Sequence, residues 1–74
     1  MKIRQIAGDN IRFIRQKRKL SQIALAVEAN MSTSYIGYVE RGEKSITIDR
    51  LEKIAKALEV TPAFLLTPNA HQSL

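Results

Sequence analysis

The sequence predicts an all-α fold, a single domain of five short helices, and three observations carry that expectation. Apolar residues recur at helical spacing in each stretch between turn signals, and no stretch shows the sustained alternation of a half-buried strand. A hydroxyl residue (Ser21, Ser32, Thr47 or Thr61) stands just before four of these stretches, where its oxygen can accept from a first-turn N–H. Asn30, Gly42 and Pro68 punctuate their ends. With 74 residues the chain makes one domain with a modest core, small enough that a second copy would help to stabilise it.

The first helix is expected from Gly8 to Lys19, with a start as early as Ile3. Ile3, Ala7, Ile11 and Ile14 share one face, Ile6 and Phe13 widen it, and Phe13 is expected to pack with Ile6 under the N-terminal extension. Lys17, Arg18 and Lys19 complement the dipole at its C-terminus. Ser21 caps a second helix, Gln22 to Ala29. Asn30 and Met31 form a corner, where Asn tolerates a left-handed backbone nearly as well as Gly. Ser32 caps the third helix, which runs to about Glu40 and stops at Gly42. Thr47 caps the fourth, whose apolar face holds Ile48, Leu51, Ile54, Ala55 and Leu58. Thr61 caps a short fifth helix with Pro62 at its first position and Phe64, Leu65 and Leu66 on its apolar side. The domain is thus expected over residues 1–66, and residues 67–74 as a short, frayed tail.

The second and third helices, residues 22–40, have the pattern of a helix-turn-helix. Ala26 supplies a small residue where two helices meet at a steep angle, and Leu25, Ala29, Met31, Ile36 and Val39 form the seam beneath. Thr33, Ser34, Gly37 and Tyr38 point the other way. A face of hydroxyls and a glycine is unlike a solvated helix surface rich in Lys and Glu, so these four are the base-reading candidates, and the motif points to sequence-specific DNA binding. Tyr35 is read as a phosphate-contacting hydroxyl or a half-buried prop. No Arg, Asn or Gln lies on this helix to make a bidentate base contact, so modest direct readout with a contribution from DNA shape is expected.

Charge supports that direction. The net charge is +5, but residues 1–20 hold seven basic residues against Asp9, residues 21–40 only Glu28 and Glu40, and residues 41–60 five basic against four acidic. The excess lies just before the helix-turn-helix, where Arg12 and Lys17 are candidate phosphate contacts and Arg18 and Lys19 add long-range field. The absence of Cys excludes a disulfide framework, a thiolate metal site and a Cys nucleophile, and His71 alone cannot make a metal site. There is no nucleophile–base pair and no Gly-rich phosphate loop, so an enzyme is not expected, nor a cofactor. No apolar run approaches the length of a membrane span, and cytoplasmic residence is expected.

From Gly8 to Leu66 the blocks GDNIRFIR, LSQIALA, SYIGYVERG, TIDRLEKIAKALEV and FLL resemble, in register, the Xre-type, phage-repressor-like helix-turn-helix family. The run YIGYVERGEKSITI further resembles the small controller proteins of restriction–modification systems. The resemblance implies a five-helix, lambda-repressor-like domain that binds a two-fold operator as a homodimer, with its third helix in the major groove. It implies that Gln22 hydrogen-bonds a phosphate, that Arg41, Lys44 and Ser45 touch the DNA backbone, and that Arg15 pairs with Glu40 to hold the third helix against the first. Ile46, Phe64 and Leu66 become candidates for the subunit interface, with Leu65 in the core. Two positions depart from the family: Asn30 stands where Gly is usual, and Ile46 where Pro often precedes the fourth-helix cap. The expected function is transcriptional regulation without a small-molecule effector domain. The competing reading is an antitoxin or protein-bridging module, against which the short stretch after Leu66 argues.

Overall fold

The computed structural model describes residues 2–73. Five helices follow one another: α1 (Ile3–Lys17), α2 (Gln22–Ala29), α3 (Thr33–Glu40), α4 (Ile48–Leu58) and α5 (Pro62–Leu65), and a 3-10 turn (Ala70–Ser73) closes the described chain. The hydroxyl caps are where the sequence places them. Ser21 Oγ accepts from the Ala24 N–H at 2.9 Å and Ser32 Oγ from that of Tyr35 at 3.1 Å. Thr47 Oγ1 accepts from Arg50 at 3.2 Å and Thr61 Oγ1 from Phe64 at 3.1 Å.

α1 starts at Ile3 rather than Gly8 and ends two residues before the expected Lys19. The reason for the early end is a left-handed residue, Lys19 (φ 59°), which lets the Leu20 N–H reach back to the Arg15 carbonyl at 3.0 Å. Three other helices end the same way. Asn30 (φ 57°), Gly42 (φ 72°) and Glu59 (φ 60°) take the left-handed position, and the next N–H in each case bonds five residues back: Met31 to Ala26, Glu43 to Tyr38, Val60 to Ala55. Leu20, Met31 and Val60 then fold onto the core, while Glu43 at the end of α3 stays exposed.

The core is built from Ile11 and Ile14 of α1, Leu25 of α2, Ile36 and Val39 of α3, Ile54 and Leu58 of α4, and Leu65 of α5, all essentially inaccessible. Burying these side chains, at about 25 cal/mol per Å² of apolar surface, is what holds helices this short in place. α1 crosses the end of α3 at Gly8, where a Cβ would lie 2.5 Å from the Val39 carbonyl oxygen and 2.7 Å from that of Glu40. Only a bare α-carbon allows that approach.

Three expectations are corrected. The described residues after Leu66, 67–73, do not fray away: Ala70 is buried and the segment lies along α1. Asn10, wholly buried, holds it there. Its Nδ2 donates to the carbonyls of Leu65 (2.9 Å) and Thr67 (2.8 Å), and its Oδ1 accepts from the His71 backbone N–H (3.1 Å) and lies 2.7 Å from His71 Nδ1. Because an amide oxygen can only accept, Nδ1 carries the proton in that contact. Phe13, expected to pack with Ile6, stacks on the His71 ring, with centroids 4.5 Å apart. Ile48, assigned to the apolar core face of α4, is 84% exposed, because at the first helical position its side chain falls outside the buried stripe of Leu51, Ile54, Ala55 and Leu58.

Candidate nucleic-acid interface

α3 presents Thr33 and Ser34 to solvent and leaves Tyr38 exposed, while Ile36 and Val39 face the core. Gly37, expected in the open face, is buried. The Arg41 side chain folds back over it, so that a Cβ at Gly37 would stand 3.2 Å from Arg41 Nη1. Arg41 Cζ lies 5.2 Å from the Tyr38 ring centroid and Lys44 Nζ 5.0 Å from it, so the ring is a seat for two cations. Arg41 also pairs with Glu43 (Nε to Oε2, 3.2 Å), and hydrogen bonding to Glu43 raises the Arg41 pKa above its ordinary value.

A polar bracket fixes α3 behind this face. Arg15 Nε donates to Glu40 Oε2 at 2.6 Å and Nη2 to Oε1 at 3.1 Å, while Nη1 donates to the Leu20 carbonyl at 2.8 Å. Gln22 Nε2 donates to Glu40 Oε1 at 3.1 Å. One nearly buried carboxylate therefore ties together the ends of α1, α2 and α3. Gln22, expected on a phosphate, gives one of its two side-chain N–H donors to Glu40. The backbone N–H groups of Gln22 and Ile23, ahead of the Ser21-bonded Ala24, are first-turn donors that no carbonyl of α2 accepts.

The phosphate candidates divide into groups. Arg12, Gln22 and Arg41 line one open polar cleft of about 710 Å³ between α1, α2 and α3, together with Gln5, Asp9, Arg15, Gln16 and Glu40. Lys17 is not on its walls; it lines a separate depression beside Ile14, Arg18 and Val60. Arg18 is drawn to Glu59 at 2.9 Å. On the other flank Tyr35 is half-buried, and its hydroxyl reaches the Ser45 carbonyl at 3.4 Å, which joins α3 to the loop carrying Lys44 and Ser45. Arg50, absent from the sequence-based candidates, lies over the Tyr35 ring at 4.8 Å and beside Ser32 and Asn30. Its signal was readable: an arginine in the first turn of α4, where the helix dipole disfavours a cation, needs some other reason to be there.

The expected interface residues also divide. Ile46 and Leu66 line an apolar depression of about 380 Å³ with Ile3, Ala7, Val39, Ile48 and Leu51. Phe64 is not part of it; it is half-buried against the core. Ile48 is the exposed residue that sequence reasoning had placed inside.

The sequence profile of the helix-turn-helix family matches residues 11–65. The chain belongs to that family. It is 43% identical over 65 residues, 86% of this chain and 80% of the other, to the control protein C.BamHI of Bacillus amyloliquefaciens. Among solved structures it is similar to the restriction–modification controller protein C.AhdI from Aeromonas hydrophila, with a TM-score of 0.81 and 34% identity over 84% of this chain and 94% of the other. It is also similar to the P22 c2 repressor, solved with a synthetic operator (TM-score 0.79, 34% identity, 82% of this chain and 92% of the other). As a member of this helix-turn-helix family the chain is a DNA-binding transcriptional regulator, not an enzyme, and its five-helix fold is that of the repressor. No helix among the described residues is long and apolar enough to cross a membrane.

Proposed function

We propose that this chain binds a two-fold operator as a homodimer, with α3 in the major groove of each half-site. The observation that carries the reading is the face around α3: a hydroxyl-bearing helix surface with the cations Arg12, Arg41, Lys44 and Arg50 around it. Such cations meet the phosphates that border a groove. Thr33 and Ser34 are the exposed base-edge donors and acceptors, and Tyr38 orients two of the flanking cations. The N–H groups of Gln22 and Ile23 seat a phosphate at the start of α2. The similarity to a repressor solved on operator DNA supports the same placement.

Dimerisation rests on the apolar depression, where Ile48, Ile3 and Leu66 are 84%, 46% and 38% exposed around half-buried Ile46. A second copy covering it would relate two α3 helices by a two-fold axis, and half-sites about one turn of DNA apart require such a pair. A gel-shift titration against DNA from upstream of its own gene, with excess nonspecific competitor, tests the function. A competitor-resistant complex lost in the Thr33→Ala/Ser34→Ala variant supports it; only competed background for the wild type counts against it.

A further inference from the structure

The structure places an arginine on the recognition face, at a position where the sequence showed only a gap. Thr33, Gly37 and Arg41 are spaced by four and share one stripe of the helix, and Arg41 keeps right-handed helical angles (φ −85°, ψ −2°). Gly37 has no side chain to occupy the middle of that stripe. The Arg41 guanidinium reaches over it instead, with Nη1 3.2 Å from where a Cβ at position 37 would stand. Two contacts hold it. The Tyr38 ring lies beneath Cζ, and Glu43 pairs with Nε. Both leave the Nη1–Nη2 edge without a hydrogen-bond partner among the described residues. That edge is two parallel donors, the shape that matches the O6 and N7 acceptors of a guanine in the major groove.

We propose that Arg41 reads a guanine in each half-site, rather than only steadying the DNA backbone, and that Gly37 favours this by leaving room for the guanidinium. This rests on the DNA-binding reading above. It replaces the expectation that α3 offers no bidentate base contact. Glu43 has a part in it as well. It fixes Arg41 through Nε, and its own charge disfavours close approach of a phosphate to the same spot, which steers the guanidinium toward a base edge.

The experiment is selection of binding sites from duplexes with a fully randomised core of about two helical turns, run with wild type, Arg41→Lys, Arg41→Ala and Gly37→Ala. The wild type should enrich a two-fold site with one fixed guanine in each half. In competition assays, replacing that base pair should cost the wild type about tenfold or more, and 7-deazaguanine, which lacks the N7 acceptor, should cost it several-fold. Arg41→Lys keeps the charge but not the fork, so it should retain the rest of the site and lose both effects, as should Arg41→Ala. Gly37→Ala should weaken the guanine preference with Arg41 still present. If the arginine variants instead bind every duplex more weakly by one common factor and keep the guanine preference, Arg41 is a phosphate contact and the proposal fails while the DNA-binding reading stands. A wild-type site without a fixed guanine also overturns it. If the wild type enriches no sequence at all, the DNA-binding reading falls, and this inference with it.

Discussion

α1 carries two polar side chains, one half-buried and one fully buried, that reach out to other parts of the chain, and they work differently. Near its C-terminus Arg15 meets Glu40, a charged pair with side-chain exposures of 11% and 3%, and the bracket binds α1, α2 and α3. Nearer its N-terminus Asn10 is neutral and fully buried, and it clasps the segment from Leu65 to His71. The bracket stands directly behind α3, and the clasp stands beside the last described residues. A charge pair gives steep orientation but leaves a large penalty if one partner is removed, whereas an amide gives four-way satisfaction at lower stakes. The fold uses the charged device where an orientation must be held and the neutral one where a segment need only be kept down.

The largest expected effect comes from breaking the bracket. Arg15→Ala leaves Glu40 buried without its cation and should cost about 3–5 kcal/mol of stability, read from urea denaturation. Replacing both partners with apolar residues, Arg15→Met/Glu40→Leu, should recover most of that loss while DNA affinity stays reduced, because α3 would be packed but no longer oriented. If affinity recovers with stability, the bracket has no orienting role. Asn10→Ala should cost about 1–3 kcal/mol, since it strands the Leu65 and Thr67 carbonyls and the His71 N–H. Gly8→Ala tests the close crossing of α1 over the end of α3: its Cβ meets backbone carbonyls that cannot swing aside, for about 1–3 kcal/mol. The smallest effect is His71→Ala, which removes the stack on Phe13 and the Nδ1 contact to Asn10 but keeps the backbone bond to Asn10, and should cost about 1 kcal/mol. An Arg15→Ala/Asn10→Ala double variant sharpens the comparison. Two devices with no shared partner should add within about 0.5 kcal/mol.

The sequence made the helix starts legible, because Ser21, Ser32, Thr47 and Thr61 act through bonds three residues away. Of the left-handed ends, Asn30 and Gly42 were readable and Lys19 and Glu59 were not. Their residue types carry no such signal; the mark lies in the apolar Leu20 and Val60 that follow them and pack inward. Asn10 was illegible for a different reason. A buried amide reads as a flaw in an apolar stripe until its partners, more than fifty residues away, are known. In the candidate interface, the outward direction of Thr33, Ser34 and Tyr38 followed from helical period alone. The covering of Gly37 did not, since period fixes where a Cβ points and not where a long guanidinium comes to rest. Ile48 was misplaced because spacing shows that a residue borders an apolar stripe, not that the stripe is buried across its whole width.

The clasp has a further consequence, in time rather than in energy. Its bond from His71 to Asn10 joins positions 61 residues apart, whereas the caps and corners of the helix-turn-helix close within a few residues. Closing so long a loop is entropically costly until the intervening helices have docked, so this contact should form after the folding barrier has been crossed. Asn10→Ala should then leave the refolding rate in stopped-flow mixing nearly unchanged and raise the unfolding rate by almost the whole of its destabilisation. The last residues to arrive would be the ones that set how long the folded domain lasts.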